Sequence, residues 1–213
     1  FSSFSSEWQK RFLNYELNIV EITEAEHDEE LNLLFLRLQI ASVLNAGEKL
    51  HAMIGDIRNW IFNTAVNNKF FEKIHIPMRR YAKQQVAAQI TLNAFSKRDT
   101  GDFQRSRYID LQDFFKRYSS LSSSDKKLIK DIENNFDIIV KHFGDKLKYI
   151  NNRAIAVSVY LFVRELIELK KEKEIKEFKE FLVKFLKTLK WQIPKGVEMN
   201  EHYYDLLKFQ TNI

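Results

Sequence analysis

Leu128, Ile129, Ile132, Phe136, Ile139, Val140 and Phe143 recur at the three- and four-residue spacing that puts side chains on one helical face. Asp125 to Phe143 contains neither glycine nor proline. Ser124 suits an N-cap before this stretch and Gly144 a stop after it. The spacing returns in Lys173 to Leu189, where Ile175, Phe178, Phe181, Leu182, Phe185 and Leu189 point inward. Asn152 to Leu169 is nearly all apolar through Val163, which predicts the central buried helix. Only five Gly and two Pro interrupt 213 residues, so turns are few and regular elements long. The expected fold is mainly α, a single-core helical domain of about nine helices with one short β-strand near the N-terminus.

Taken in order, Ser5-Ser6-Glu7-Trp8 opens a short helix with Ser5 or Ser6 as cap, and Tyr15 to Ile22 alternates well enough to predict the strand. Residues 1–24 are thus expected to end an α/β segment, with residues 25–213 as the helical domain. Glu24, Glu26, Asp28, Glu29 and Glu30 suit the positive end of a helix that buries Leu31, Leu34, Phe35 and Leu38. Leu50, Met53, Ile54, Ile57, Ile61 and Phe62 form one helical face to about Val66, and Phe70-Phe71 a short apolar plug. Pro77 is expected to open a helix over Met78–Phe95, with Tyr81, Val86, Ile90 and Phe95 inward. A loop over Lys97–Asp102, a helix over Asp102–Tyr118 and a last helix over Asn200–Phe209 complete the outline.

Several chemistries lack their residues. Zero Cys removes disulfides, thiolate metal sites and cysteine nucleophiles, and fits a reducing, cytoplasmic setting. No apolar run approaches the ~20 residues of a membrane span. Neither G-x-x-x-x-G-K-[ST] nor G-x-G-x-x-G occurs, nor a nucleophile elbow, nor a His-rich nuclease motif. Glu48 and His51 share a helical face but supply half a metal site at most, so no metal ligands are assigned.

The polar junction from Phe35 to Ile57 gathers Arg37, Gln39, Asn45, Glu48 and Lys49. Asn45 followed by Glu48 has the spacing of a capping box, which makes two helices joined by a capped turn the plain reading. The same residues carry a resemblance. Phe35, Arg37, Leu38, Leu44, Asn45 and Glu48 resemble the second motif of a ParB-like family whose first motif is Asp-Gly-Gln-Gln-Arg (domain-of-unknown-function family 262). That family includes the N-terminal domain of GmrSD-type restriction endonucleases. The chain departs from the pattern at Gln39, where Asn is usual, and at Ile40-Ala41-Ser42, where glycines are usual. Asp-Gly-Gln-Gln-Arg is not among these residues, so the chain is expected to be the helical piece downstream of that motif. The resemblance implies nucleotide-dependent cleavage or sensing of foreign DNA in the complete protein, with a nucleoside triphosphate and a divalent cation as cofactors. It implies Arg37 and Glu48 as catalytic residues and Arg37, Gln39 and Asn45 as cofactor-binding residues. The alternative is a non-enzymatic helical module that binds DNA or protein.

A net charge of +5 permits contact with nucleic acid. Arg79, Arg80, Lys83, Arg105 and Arg107 are the candidate nucleic-acid contacts, with Lys97, Arg98, Lys116 and Arg117 nearby in sequence. Asp99, Asp102, Asp110 and Asp113 interleave with them, so a mixed solvated surface stands beside the DNA reading. Lys184, Lys187, Lys190 and Lys195 form a second basic strip with the same alternative.

Overall fold

A computed structural model describes residues 1–16, 19, 21, 30, 31, 33, 34 and 44–192. Nine α-helices are bounded within them: α1 (Ser6–Leu13), α2 (Ala46–His51), α3 (Asp56–Asn63), α4 (Lys69–Lys73), α5 (Ala82–Thr100), α6 (Tyr108–Arg117), α7 (Ser123–Phe143), α8 (Arg153–Glu168) and α9 (Glu174–Gln192). Three 3-10 segments, Ala65–Asn67, Arg79–Tyr81 and Gly144–Tyr149, connect some of them. The mainly α fold expected from the spacing is what the chain adopts. No strand occurs among the described residues: Tyr15, Glu16, Ile19 and Glu21 are irregular, and the rest of the expected strand lies outside them. Asn200–Phe209 also lies outside them.

The core is one cluster running from Leu50 to Leu186. Its centre is α5, not α8 as the apolar run predicts. α8 lies along α5, and α7 packs against both. Eleven residues of α5 are buried, among them Ala87, Ala88, Thr91, Asn93 and Ser96. Small side chains let the neighbouring backbones approach, and the polar ones bond locally. Thr91 Oγ1 donates to the Ala87 carbonyl at 2.7 Å, and Asn93 Nδ2 to the Gln89 carbonyl at 2.9 Å. Arg164, buried on α8, donates to the Ala94 carbonyl at 3.2 Å and pairs with Glu168 at 2.8 Å. Phe70, Phe71, Phe136 and Tyr160 pack ring against ring under α7.

Several expected boundaries move, each for a local reason. The single helical face from Leu50 to Val66 is broken after His51, because Gly55 turns the chain with φ 123°. The helix expected over Met78–Phe95 starts at Ala82 and runs on to Thr100, where Gly101 takes a left-handed φ of 81°. The next helix starts at Tyr108 rather than Asp102, since residues 102–106 are tied back to α5. Ser96 Oγ donates to the Asp102 carbonyl at 2.9 Å, the Gln104 N–H to Asn93 Oδ1 at 3.1 Å, and Asn93 Nδ2 to Ser106 Oγ at 2.9 Å. The cap of α7 is Ser122, whose N–H donates to Asp125 Oδ2 at 3.0 Å while Asp125 N–H donates back to Ser122 Oγ at 3.2 Å. Phe181, expected inward, is 63% exposed.

Candidate functional site

α2 is short, and its geometry comes from caps at both ends. Asn45 Oδ1 accepts from the Glu48 N–H at 2.9 Å, and Glu48 Oε2 accepts from the Asn45 N–H at 2.8 Å, which is the reciprocal capping box the spacing predicts. At the other end the Arg58 guanidinium donates twice to the His51 carbonyl, at 3.1 and 2.7 Å.

Glu48 does more than cap. Arg80, 32 residues away, grips it with two parallel hydrogen bonds, Nε to Oε1 and Nη2 to Oε2, both 2.9 Å. Asn45 Nδ2 donates to the Arg80 carbonyl at 3.2 Å. The Gly47 backbone fits closely against the Arg80 carbonyl, where a Cβ on residue 47 would approach to 2.9 Å. Arg80 and Tyr81 are both left-handed, with φ 55° and 60°. Left-handed backbone costs an ordinary residue about 1–2 kcal/mol. These hydrogen bonds and the close fit at Gly47 hold it there, together with a stack of Tyr81 on His51 at 4.4 Å between ring centroids.

Electrostatics follow the geometry. The Arg80 hydrogen bonds, with the Asn45 N–H, hold the Glu48 carboxyl below its usual range, and Glu48 raises Arg80 in turn. Burial, helped by Arg58, pushes His51 down, so its ring is neutral at pH 7. His51 therefore serves as an aromatic plate, and no cluster of three metal-binding side chains occurs among the described residues.

Of the other residues singled out from the sequence, Arg37 and Gln39 lie outside the described residues. Arg79 and Arg105 are exposed. Lys83 is not on the surface: it is 8% exposed, and its ammonium donates to the Phe71 carbonyl. Arg107 is engaged by Asp110 at 3.0 and 3.2 Å. Arg98 is held by Asp99 at 2.6 Å and Asp125 at 2.7 Å. Much of the basic cluster is thus matched by the interleaved acids. The Arg80 partnership was not legible in the sequence, since no local pattern joins a capping glutamate to an arginine so distant.

Comparison with known proteins finds no matching family, no similar curated protein and no similar solved structure.

Acid should loosen this arrangement. Burial alone would raise Asp125, but the Ser122 hydroxyl and Arg98 outweigh it and hold its carboxyl low. Glu48 is low because of the Arg80 and Asn45 hydrogen bonds. A carboxyl depressed in the folded state stabilises it fully above the ordinary values of 4.5 (Glu48) and 3.8 (Asp125), and that contribution is lost as pH falls below them and on through the lowered folded values. His51 acts earlier, since its ordinary value is 6.5 and the unfolded chain takes up the proton first. Melting temperature should decline gently below pH 6.5 and steeply below pH 4.5. Asp125→Asn should flatten the steep limb, and a limb identical to the parent's would refute its role.

Proposed function

We propose that this chain is the helical part of a ParB-like, GmrSD-type protein of the cytoplasm, whose complete form cleaves or senses foreign DNA with a nucleoside triphosphate and a divalent cation. By itself this piece is inert. One observation supports the reading most. Two motif residues, Asn45 and Glu48, with Gly47 between them, hold Arg80 and Tyr81 in strained left-handed backbone. Strain maintained by several converging contacts is typical of functional sites. Glu48 orients an arginine, Arg80. Arg37 binds phosphate, a task suited to a guanidinium, Gln39 is the second nucleotide-binding residue of the motif, and Asn45 fixes the turn.

A second reading draws on the same geometry. Both Glu48 oxygens are already engaged, which suits a structural latch in a non-enzymatic helical module that binds DNA or protein. Variants separate the two. Asn45→Ala removes the cap and should cost about 1 kcal/mol of stability. Glu48→Gln keeps a side-chain acceptor for the cap but removes the charge held by Arg80. In the complete protein, the first reading expects Glu48→Gln to abolish nucleotide-dependent DNA cleavage with the chain still folded. Full cleavage by Glu48→Gln would overturn it and leave the latch.

A further inference from the structure

A second basic surface lies away from the arginine cluster, at the turn between α7 and α8. Lys148 leaves the 3-10 turn Gly144–Tyr149, and Lys187 leaves α9, which packs on that turn. Their ammonium groups stand 5.9 and 5.3 Å from the centroid of the same Tyr149 ring. Lys146 is on the same turn, and Lys73 reaches it from α4 to bond Asp145 at 3.1 Å. Asp145 feels Lys73 most strongly, with Lys148 and Lys146 adding to the pull. The acid of this turn is therefore already bonded to one lysine and leaves the charge of the others in place.

Lys146, Lys148 and Lys187 are exposed and make no ion pair among the described residues. Three of the arginines are in the opposite condition: Arg80, Arg98 and Arg107 each grip a carboxylate, while Arg79 and Arg105 are exposed. The Tyr149 ring attracts both ammoniums through its negative faces and so fixes where they stand, without cancelling their charge. Two compact point charges on different elements, held at one ring, suit the repeated phosphates of an extended polyanion. Phosphate contacts of this kind position a nucleic acid without reading its bases.

We propose that Lys148 and Lys187, held at the Tyr149 ring, with Lys146 on the same turn, bind the phosphodiester backbone of DNA. This rests on the DNA part of the function proposed above, but it moves the DNA-binding surface from the arginine cluster to the turn between α7 and α8. The test is fluorescence anisotropy of the full chain with a short labelled DNA duplex across a salt series. Removing one lysine–phosphate pair lowers the log–log salt slope by about 0.9. The Lys148→Ala, Lys187→Ala double variant should lower that slope by about 1.8 and, with the two curves meeting near ~1 M salt, bind roughly 60-fold more weakly at ~0.1 M. Lys126→Ala, Lys130→Ala, exposed on α7, removes the same net charge and should change neither value much. If the two double variants weaken binding equally, net charge explains the effect and this surface is overturned. If the parent binds and the Lys148, Lys187 variant matches it, this surface is overturned while the DNA reading stands. A parent that does not bind the duplex, or binds only anionic vesicles, overturns both.

Discussion

Phe136→Ala should destabilise the chain by about 3–5 kcal/mol, the usual cost of emptying a fully buried phenylalanine site. Phe136 has 0% exposure and sits among three other rings. It stacks on Phe70 at 5.1 Å, meets Phe71 edge-on at 5.1 Å, and tilts against Tyr160 at 4.9 Å. Phe70 and Phe71 are themselves perpendicular at 5.0 Å. The four rings come from α4, α7 and α8, so removing the central one leaves a hole that no single helix can close by shifting. For a chain of this size each kcal/mol moves the melting temperature by about 2–4 °C, so the drop should be roughly 6–20 °C. Ile109→Ala, at a side chain 50% exposed, should stay within about 0.5 kcal/mol and serves as the control. Urea unfolding followed by circular dichroism measures both. A Phe136→Ala midpoint no lower than that of Ile109→Ala would mean that the rings do not form a closed cluster.

What the sequence made legible follows from how locally each feature is encoded. α7 was readable because its apolar face and its stop lie within one stretch, and only the cap moved, from Ser124 to Ser122. The bounds of α8 were equally plain: the helix expected over Asn152 to Leu169 spans Arg153–Glu168, and the Asn152 side chain accepts from the Ala154 N–H at 2.7 Å where it begins. α5 was harder. Its buried surface includes alanines and the polar Thr91, Asn93 and Ser96, so neither its end at Thr100 nor its central place stands out from the apolar pattern. α9 differs the other way, because Phe181 fits the inward spacing but is 63% exposed, with the Phe185 ring of its own helix stacked beside it at 6.0 Å. In the candidate site the Asn45–Glu48 cap is local and was legible. The Arg80 grip is not, since it depends on two left-handed residues that no residue type advertises.

Gly55→Ala should be the most damaging small substitution in the chain, because two independent penalties fall on one position. The first is conformational. Gly55 has φ 123° and ψ 167°, a region essentially closed to residues with a Cβ and worth about 1–3 kcal/mol of strain. The second is steric. A Cβ there would lie 2.7 Å from Ser119 Cα and 3.0 Å from the Ser119 carbonyl oxygen, and forcing extra atoms into a packed region costs about 1–3 kcal/mol more. The backbone cannot simply retreat. The Asp56 N–H donates to the Ser119 carbonyl at 2.7 Å and the Ile57 N–H to the Tyr118 carbonyl at 3.4 Å, so the open N-terminus of α3 is satisfied by the chain leaving α6. The Leu121 N–H donates to Asp56 Oδ2 at 3.1 Å and closes the same seam. Moving residue 55 away from Ser119 would stretch all three bonds. Gly101→Ala separates the two penalties: Gly101 also has a positive φ of 81°, but a Cβ there meets nothing within 4 Å. Its destabilisation should be about 1–2 kcal/mol, from conformation alone. In urea unfolding Gly55→Ala should cost more than Gly101→Ala by at least ~1 kcal/mol, the low end of the steric cost. Equal effects would show that α3 and the end of α6 do not meet as closely as this seam requires.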